Sequence, residues 1–184
     1  MKKNICIYCS SSNTVPSIYF DVAREIGKQL VEQHYTLVYG GGNVGLMGEL
    51  ARTVHHHGGK VIGVIPQKLV DREVAYHESD ELIITDTMHE RKETMEDRAD
   101  AFVALPGGFG TLEEIFEVLT LKVLHFHNKP IIFLDVDNFY EPLFEMFERL
   151  YREHFVKEHY RSLYYRASDV ASVFEYLSSL QTEK

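Results

Sequence analysis

The feature that most restricts the fold is a regular alternation of two patterns. Short runs rich in Ile, Val, Leu and aromatic residues recur at 3–8, 36–39, 60–65, 81–85, 101–105, 130–134 and 163–166. Between them lie amphipathic stretches near 17–33, 44–57, 88–99, 111–124, 138–153 and 168–180. The last two are the clearest: Leu143, Phe144, Phe147, Leu150 and Tyr151 share one helical face, as do Val170, Val173, Phe174, Leu177 and Leu180. Ser168 or Asp169 is placed to cap the final helix. Strands separated by helix-length segments cannot pair through tight hairpins. They lie parallel, with helices on both faces and right-handed crossovers. The expectation is an α/β fold: a Rossmann-like, doubly wound parallel sheet in a three-layer sandwich. Ligands of such folds bind beyond the carboxyl ends of the strands, so chemistry is to be sought just after each one.

The chain has 184 residues, and no linker, low-complexity tract or repeat interrupts the alternation, so a single domain spanning 1–184 is expected. No apolar run approaches the ~18 residues of a membrane helix. Met1-Lys2-Lys3-Asn4 leads into only five apolar residues, too few for a signal peptide, which points to the cytoplasm. Nineteen Lys and Arg against 28 Asp and Glu give a net charge of −9. Such a chain repels nucleic acid and anionic lipid; a small anion can bind only where backbone amides and a few cations are aimed at it. The two cysteines, Cys6 and Cys9, form a C-x-x-C. A redox pair sits at a helix start, whereas here a strand places the two on opposite faces, so they read as buried small hydrophobes. Two sulfurs cannot fill a zinc site. His55-His56-His57 falls in a helix's last turn, and nothing completes a site around His125 and His127, so no metal is expected.

Two glycine-rich turns each join a strand to a helix. Gly40-Gly41-Gly42-Asn43-Val44-Gly45 satisfies G-x-G-x-x-G, with Gly41 and Gly42 able to let a phosphate or ribose approach the backbone. The acid that a dinucleotide site wants after the next strand is missing, because that strand ends in Pro66-Gln67; this disfavours an NAD-dependent oxidoreductase. A tight turn without a ligand is the alternative. The second turn, Pro106-Gly107-Gly108-Phe109-Gly110-Thr111-Leu112-Glu113-Glu114, offers Gly107, Gly108, Gly110 and the Thr111 hydroxyl as an anion cradle. It is equally a capping box, with Thr111 as N-cap and Glu114 at N3. Between the turns, Arg91, Lys92 and Arg98 lean toward the apolar face set by Met88, Met95 and Ala99. They are either stems snorkelling to water or a cation wall facing the cleft.

These three segments together resemble the Lonely Guy (LOG) family, cytokinin riboside 5′-monophosphate phosphoribohydrolases that often carry a lysine decarboxylase label. The similarity spans essentially the whole chain. It implies a Rossmann-like enzyme, usually dimeric, with the site completed near the dimer interface. It implies Arg91 and Glu114 as the catalytic pair, with Lys92 and the Gly107–Thr111 backbone holding the 5′-phosphate and ribose. Met88, Gly41 and Gly42 complete the binding set, and Glu73 and Thr120 are further matches to substrate-side positions. The reaction implied is hydrolysis of the N-glycosidic bond of a nucleoside 5′-monophosphate, AMP or a prenylated AMP, without metal or cofactor. A decarboxylase would need pyridoxal phosphate on a lysine, for which no signature is present. Members often carry Trp-x-Gln-Leu-Gly where this chain has Leu121-Lys122-Val123-Leu124-His125, and it has no Trp at all. The base-side pocket and dimer contacts are where it departs. A non-catalytic nucleotide or molybdenum-cofactor carrier of similar fold is the alternative; a paired Glu114 and Arg91 favour the enzyme.

Overall fold

A computed structural model describes residues 3–70, 72 and 74–182. Seven strands form one sheet: β1 (Asn4–Tyr8), β2 (Thr36–Tyr39), β3 (Lys60–Pro66), β4 (Glu81–Thr85), β5 (Ala101–Ala104), β6 (Ile131–Leu134) and β7 (Tyr165–Ala167). Their order is β4-β3-β2-β1-β5-β6-β7, and every neighbouring pair is parallel. The chain starts at the centre, steps outward to β4, returns beside β1 as β5 and steps outward the other way. The reversal between β1 and β5 opens a crevice at their carboxyl ends, where the connecting segments leave in opposite directions.

The helices are α1 (Ser17–Glu32), α2 (Gly45–His56), α3 (Gln67–Val70), α4 (Met88–Arg98), α5 (Phe109–Val123), α6 (Glu141–Arg152) and α7 (Val170–Thr182). Alternation along the strands sorts them into layers. Ile5, Ile7, Leu37, Tyr39, Val103 and Ile132 face α1, α2 and α7. Cys6, Tyr8, Val38, Phe102, Ala104 and Phe133 face α4, α5 and α6. The three-layer expectation holds, and Cys6 and Cys9 fall on opposite faces as free, buried thiols. Asp169 Oδ1 accepts the Ser172 amide at 2.8 Å at the start of α7, the expected cap.

Two boundaries differ from the sequence reading, and one matters for function. α6 starts three residues late because Asp137 and Asn138 adopt left-handed φ of 52° and 56°, which cannot continue into a helix. α5 starts at Phe109, with Gly108 as N-cap and no side-chain cap. Glycines carry little helix signal, so the first turn is invisible to pattern. This places Thr111 inside the helix and Glu114 well beyond its first turn, so the capping-box reading is incorrect. Glu114 is free of any capping role.

Candidate active site

A cleft of about 570 Å³ opens where the switch point lies. Its walls come from the carboxyl ends of the central strands: residues 9–12 after β1, Gly40 and Gly42 after β2, Ile65 on β3, and 108–111 after β5. α4 and α5 supply the ionic floor. Arg91 is 6% and Glu114 9% exposed, and Arg91 Nη1 donates to Glu114 Oε1 at 2.5 Å. Arg91 Nε donates to the Val64 carbonyl at 3.1 Å, which locks the guanidinium to β3. Burial raises the pKa of Glu114 above the ordinary carboxylate value, and the Arg91 charge works against that rise. The pair is thus a desolvated carboxylate, partly compensated by Arg91, facing an open cleft.

The two glycine turns prove to have different reasons for their glycines. At Gly40 a Cβ would sit 2.1 Å from Arg91 Nη2. Gly41 has φ +72° and packs on β3, where a Cβ would meet Ile65 at 2.9 Å. Gly45 has φ +58° and a Cβ there would fall 2.4 Å from Ser11 backbone. The α2 amides are already used: Gly45 N–H donates to Asn13 Oδ1 at 2.7 Å, and Leu46 N–H to the Ser10 carbonyl at 2.9 Å. The first turn therefore builds the wall and makes room for Arg91. In the second turn, Gly107 lies against Thr111, but a Cβ at Gly108 or Gly110 would meet nothing within 4 Å, and neither has positive φ. Among the described residues no acceptor meets the amides of Phe109, Gly110 or Thr111. The protein itself gives no reason for glycine at 108 and 110. An anion approaching three open amides at a helix start does.

Of the sequence candidates, Arg91, Glu114, Gly42, Met88, Gly108, Gly110 and Thr111 line this cleft. Gly41 and Gly107 stand behind it. Lys92 does not reach it. The residue is 7% exposed, and its ammonium pairs with Glu113 Oε1 at 2.5 Å and Glu117 Oε2 at 2.6 Å. Thr120 faces an apolar cavity between α5 and α6 and donates to the Phe116 carbonyl at 2.7 Å. Arg98 lies on the surface against Glu81, so of the three α4 cations only Arg91 lines the cleft. Glu73 lies outside the described residues. Sequence reasoning missed Ser10–Ser12, Met47, Arg72 and Phe109 as cleft residues. The serines were findable, because they directly follow the central strand. Of the triple histidine, His55 bridges the Tyr76 hydroxyl at 3.0 Å and Asp80 at 2.9 Å, and His57 meets the Thr53 carbonyl at 2.9 Å. Among the described residues no cluster of His, Cys, Asp or Glu could hold a metal.

Fold and cleft together define a Rossmann-like α/β protein with an open helix start beside a buried carboxylate. A family model described as "possible lysine decarboxylase" matches residues 47–177. The chain is 47% identical over 161 residues, 88% of this chain and 66% of the relative, to cytokinin riboside 5′-monophosphate phosphoribohydrolase LOG of Oryza sativa subsp. japonica. It is 42% identical over 175 residues, 95% and 82% of the two chains, to LOG2 of Arabidopsis thaliana, which bears the same enzyme name. The chain belongs to the LOG family. Among solved structures, the molybdenum cofactor binding protein of Rippkaea orientalis aligns with a TM-score of 0.76 over 98% of both chains. The Moco carrier protein of Chlamydomonas reinhardtii aligns with a TM-score of 0.75 over 100% of both. Each is 23% identical, so the likeness is one of fold. The decarboxylase description finds no support in the cleft. A pyridoxal phosphate Schiff base needs an amine there, and no lysine lines it among the described residues.

Proposed function

We propose that the protein hydrolyses the N-glycosidic bond of nucleoside 5′-monophosphates, AMP or its prenylated forms, releasing free base and ribose 5-phosphate. The observation that carries this reading is the pairing of a glycine turn whose amides have no partner among the described residues with a desolvated carboxylate in the same cleft. The 5′-phosphate rests on the amides of Phe109, Gly110 and Thr111, and binding there orients the ribose. As the C1′–N bond breaks, positive charge develops on the ribose ring, as in other glycoside hydrolyses. Ionised Glu114 stabilises that charge and takes a proton from the attacking water, while the departing base takes up a proton from solvent, and Glu114 then returns its own to solvent. Arg91 keeps Glu114 ionised despite burial and anchors it against β3. Relatives named as phosphoribohydrolases at 42–47% identity support the same reading. A carrier that only holds an anion gains nothing from a buried carboxylate beside it. Incubation with AMP should release adenine and ribose 5-phosphate in equal amounts. A screen of purine and pyrimidine nucleoside monophosphates with no base released from any would overturn the assignment.

The working unit is a homodimer. Leu124, Phe126 and Phe155 are 59%, 75% and 76% exposed, and an apolar cavity of about 240 Å³ lies between α5 and α6, with no carboxylate or cation in its lining. Light scattering at micromolar concentration should report about twice the 21.3 kDa chain mass. A fully active monomer would refute it. The departure from Trp-x-Gln-Leu-Gly falls at 121–125, at the end of α5 beside this surface. No helix among the described residues is long and apolar enough to cross a membrane. Free, buried Cys6 and Cys9 suit a reducing cytoplasm.

A further inference from the structure

α4 and α5 are joined by two ionic rungs made from consecutive residues. Arg91 reaches Glu114, and Lys92 reaches Glu113, which also lines the cleft, and Glu117, which does not. The carboxylates at 113, 114 and 117 fall within little more than one turn of α5, and α4 adds Glu96 one turn beyond Lys92. Acids thus outnumber cations here, even with Asp97 and Lys129 counted beside Glu96. The local excess of negative charge is visible in Glu96, whose carboxyl is pushed up to about 7 by burial and by the Glu117 charge. Burial alone would depress the Lys92 ammonium, yet the hydrogen bond to Glu113 and the ion pair with Glu117 hold it above its ordinary value. Lys92 is therefore a cation held by two carboxylates of α5, and it is not among the residues lining the cleft.

We propose that Lys92 is a positioning residue for Glu114: its ammonium neutralises Glu113 and Glu117 and ties α4 to α5, so that these carboxylates neither compete for Arg91 nor repel the negative charge Glu114 must carry. This rests on Glu114 being the catalytic carboxylate, and it removes Lys92 from the phosphate site. The groups that face Glu114 are few. Arg91 and Lys92 on α4 favour its ionised form, while Glu113 on α5 opposes it. From the β1 side come Cys6, Tyr8 and Cys9, which burial holds protonated, so they add no charge at working pH. Loss of the Lys92 charge removes one favourable term and unmasks Glu113. Ionisation of Glu114 then requires higher pH.

The test measures pH profiles of kcat/KM for AMP and for adenosine in Lys92→Met and Lys92→Arg. Activity falls on the acid side as Glu114 protonates. In Lys92→Met this limb should move to higher pH by roughly half a unit or more, while Lys92→Arg leaves it in place. The preference for AMP over adenosine should be the same in both variants as in the wild type. An unmoved limb in Lys92→Met, or a collapse of the AMP preference, overturns the proposal, the latter returning Lys92 to the phosphate. If Lys92→Met does not fold, Glu117→Gln decides. It frees part of the Lys92 charge, so the acid limb should move to lower pH, and a limb that stays or rises overturns the proposal. Glu114→Gln in parallel separates the two levels. A fully active Glu114→Gln protein removes the catalytic reading and this role with it. An inactive one with an unmoved Lys92→Met limb removes only the role of Lys92.

Discussion

Glu114→Gln should lower base release from AMP by about a hundredfold or more, or roughly 3 kcal/mol of transition-state stabilisation, without lowering the melting temperature at neutral pH. Gln preserves the shape of the side chain and an oxygen for Arg91 Nη1, and deletes the negative charge that an oxocarbenium-like transition state needs. The stability arm follows from the sign of the pKa shift. Folding raises the Glu114 pKa above its ordinary value of 4.5, because burial outweighs the attraction of Arg91. A raised carboxyl contributes its full stability below the unfolded pKa and loses it as pH rises through the folded value. At neutral pH the ionised side chain is then a net cost to the fold, which a neutral isostere does not incur. Stripping Arg91 of its counter-charge pulls the other way. The raised pKa indicates that carboxylate desolvation is the larger effect. Wild type and variant should converge in stability below about pH 4.5, and the variant should be at least as stable at pH 7. Melting curves and base release on the same samples check both arms, and full activity would remove Glu114 from the mechanism.

Adenosine should be a poorer substrate than AMP by about a hundredfold or more in kcat/KM. Hydrogen bonds to a charged group contribute about 1.5–3 kcal/mol each, so two of the three open amides suffice for that factor. Gly110→Ala isolates the cause. A Cβ there meets nothing in the protein, and the position lies in the first turn of α5. Ala in place of a helical Gly should stabilise the fold by ~0.5–1 kcal/mol. The same methyl crowds an anion seated on the amides, so the AMP preference should shrink as the melting temperature rises. Comparable kcat/KM for AMP and adenosine in the wild type would refute the phosphate assignment.

Much of this molecule is legible in the chain. Periodicity placed all seven strands within about two residues of their observed limits and the long helices nearly as well, because apolar spacing at periods of 2 and 3.6 is imposed by burial against a common sheet. The switch-point rule then directed attention to the segments after the strands, where the cleft lies. The pairing of Arg91 with Glu114 came from resemblance to a family. Spacing alone left Glu114 equally a helix cap, since glycines at 108 and 110 conceal where α5 begins.

What the sequence by itself determined is the architecture and the set of chemical groups: a parallel sheet with helices on both faces, two glycine turns, and an acid and a cation on neighbouring helices. Only the tertiary structure decided how these divide their labour. The two glycine turns look alike in one dimension. In three, Gly40 clears a path for Arg91 and the α2 amides bond to Ser10 and Asn13, while the α5 amides stay open. Arg91 and Lys92 are adjacent in the chain, but successive helical residues point about 100° apart, so Arg91 lines the cleft with Glu114 while Lys92 lies outside the lining, held by Glu113 and Glu117. Side-chain direction and amide occupancy depend on neighbours from distant parts of the chain, and no local pattern encodes them.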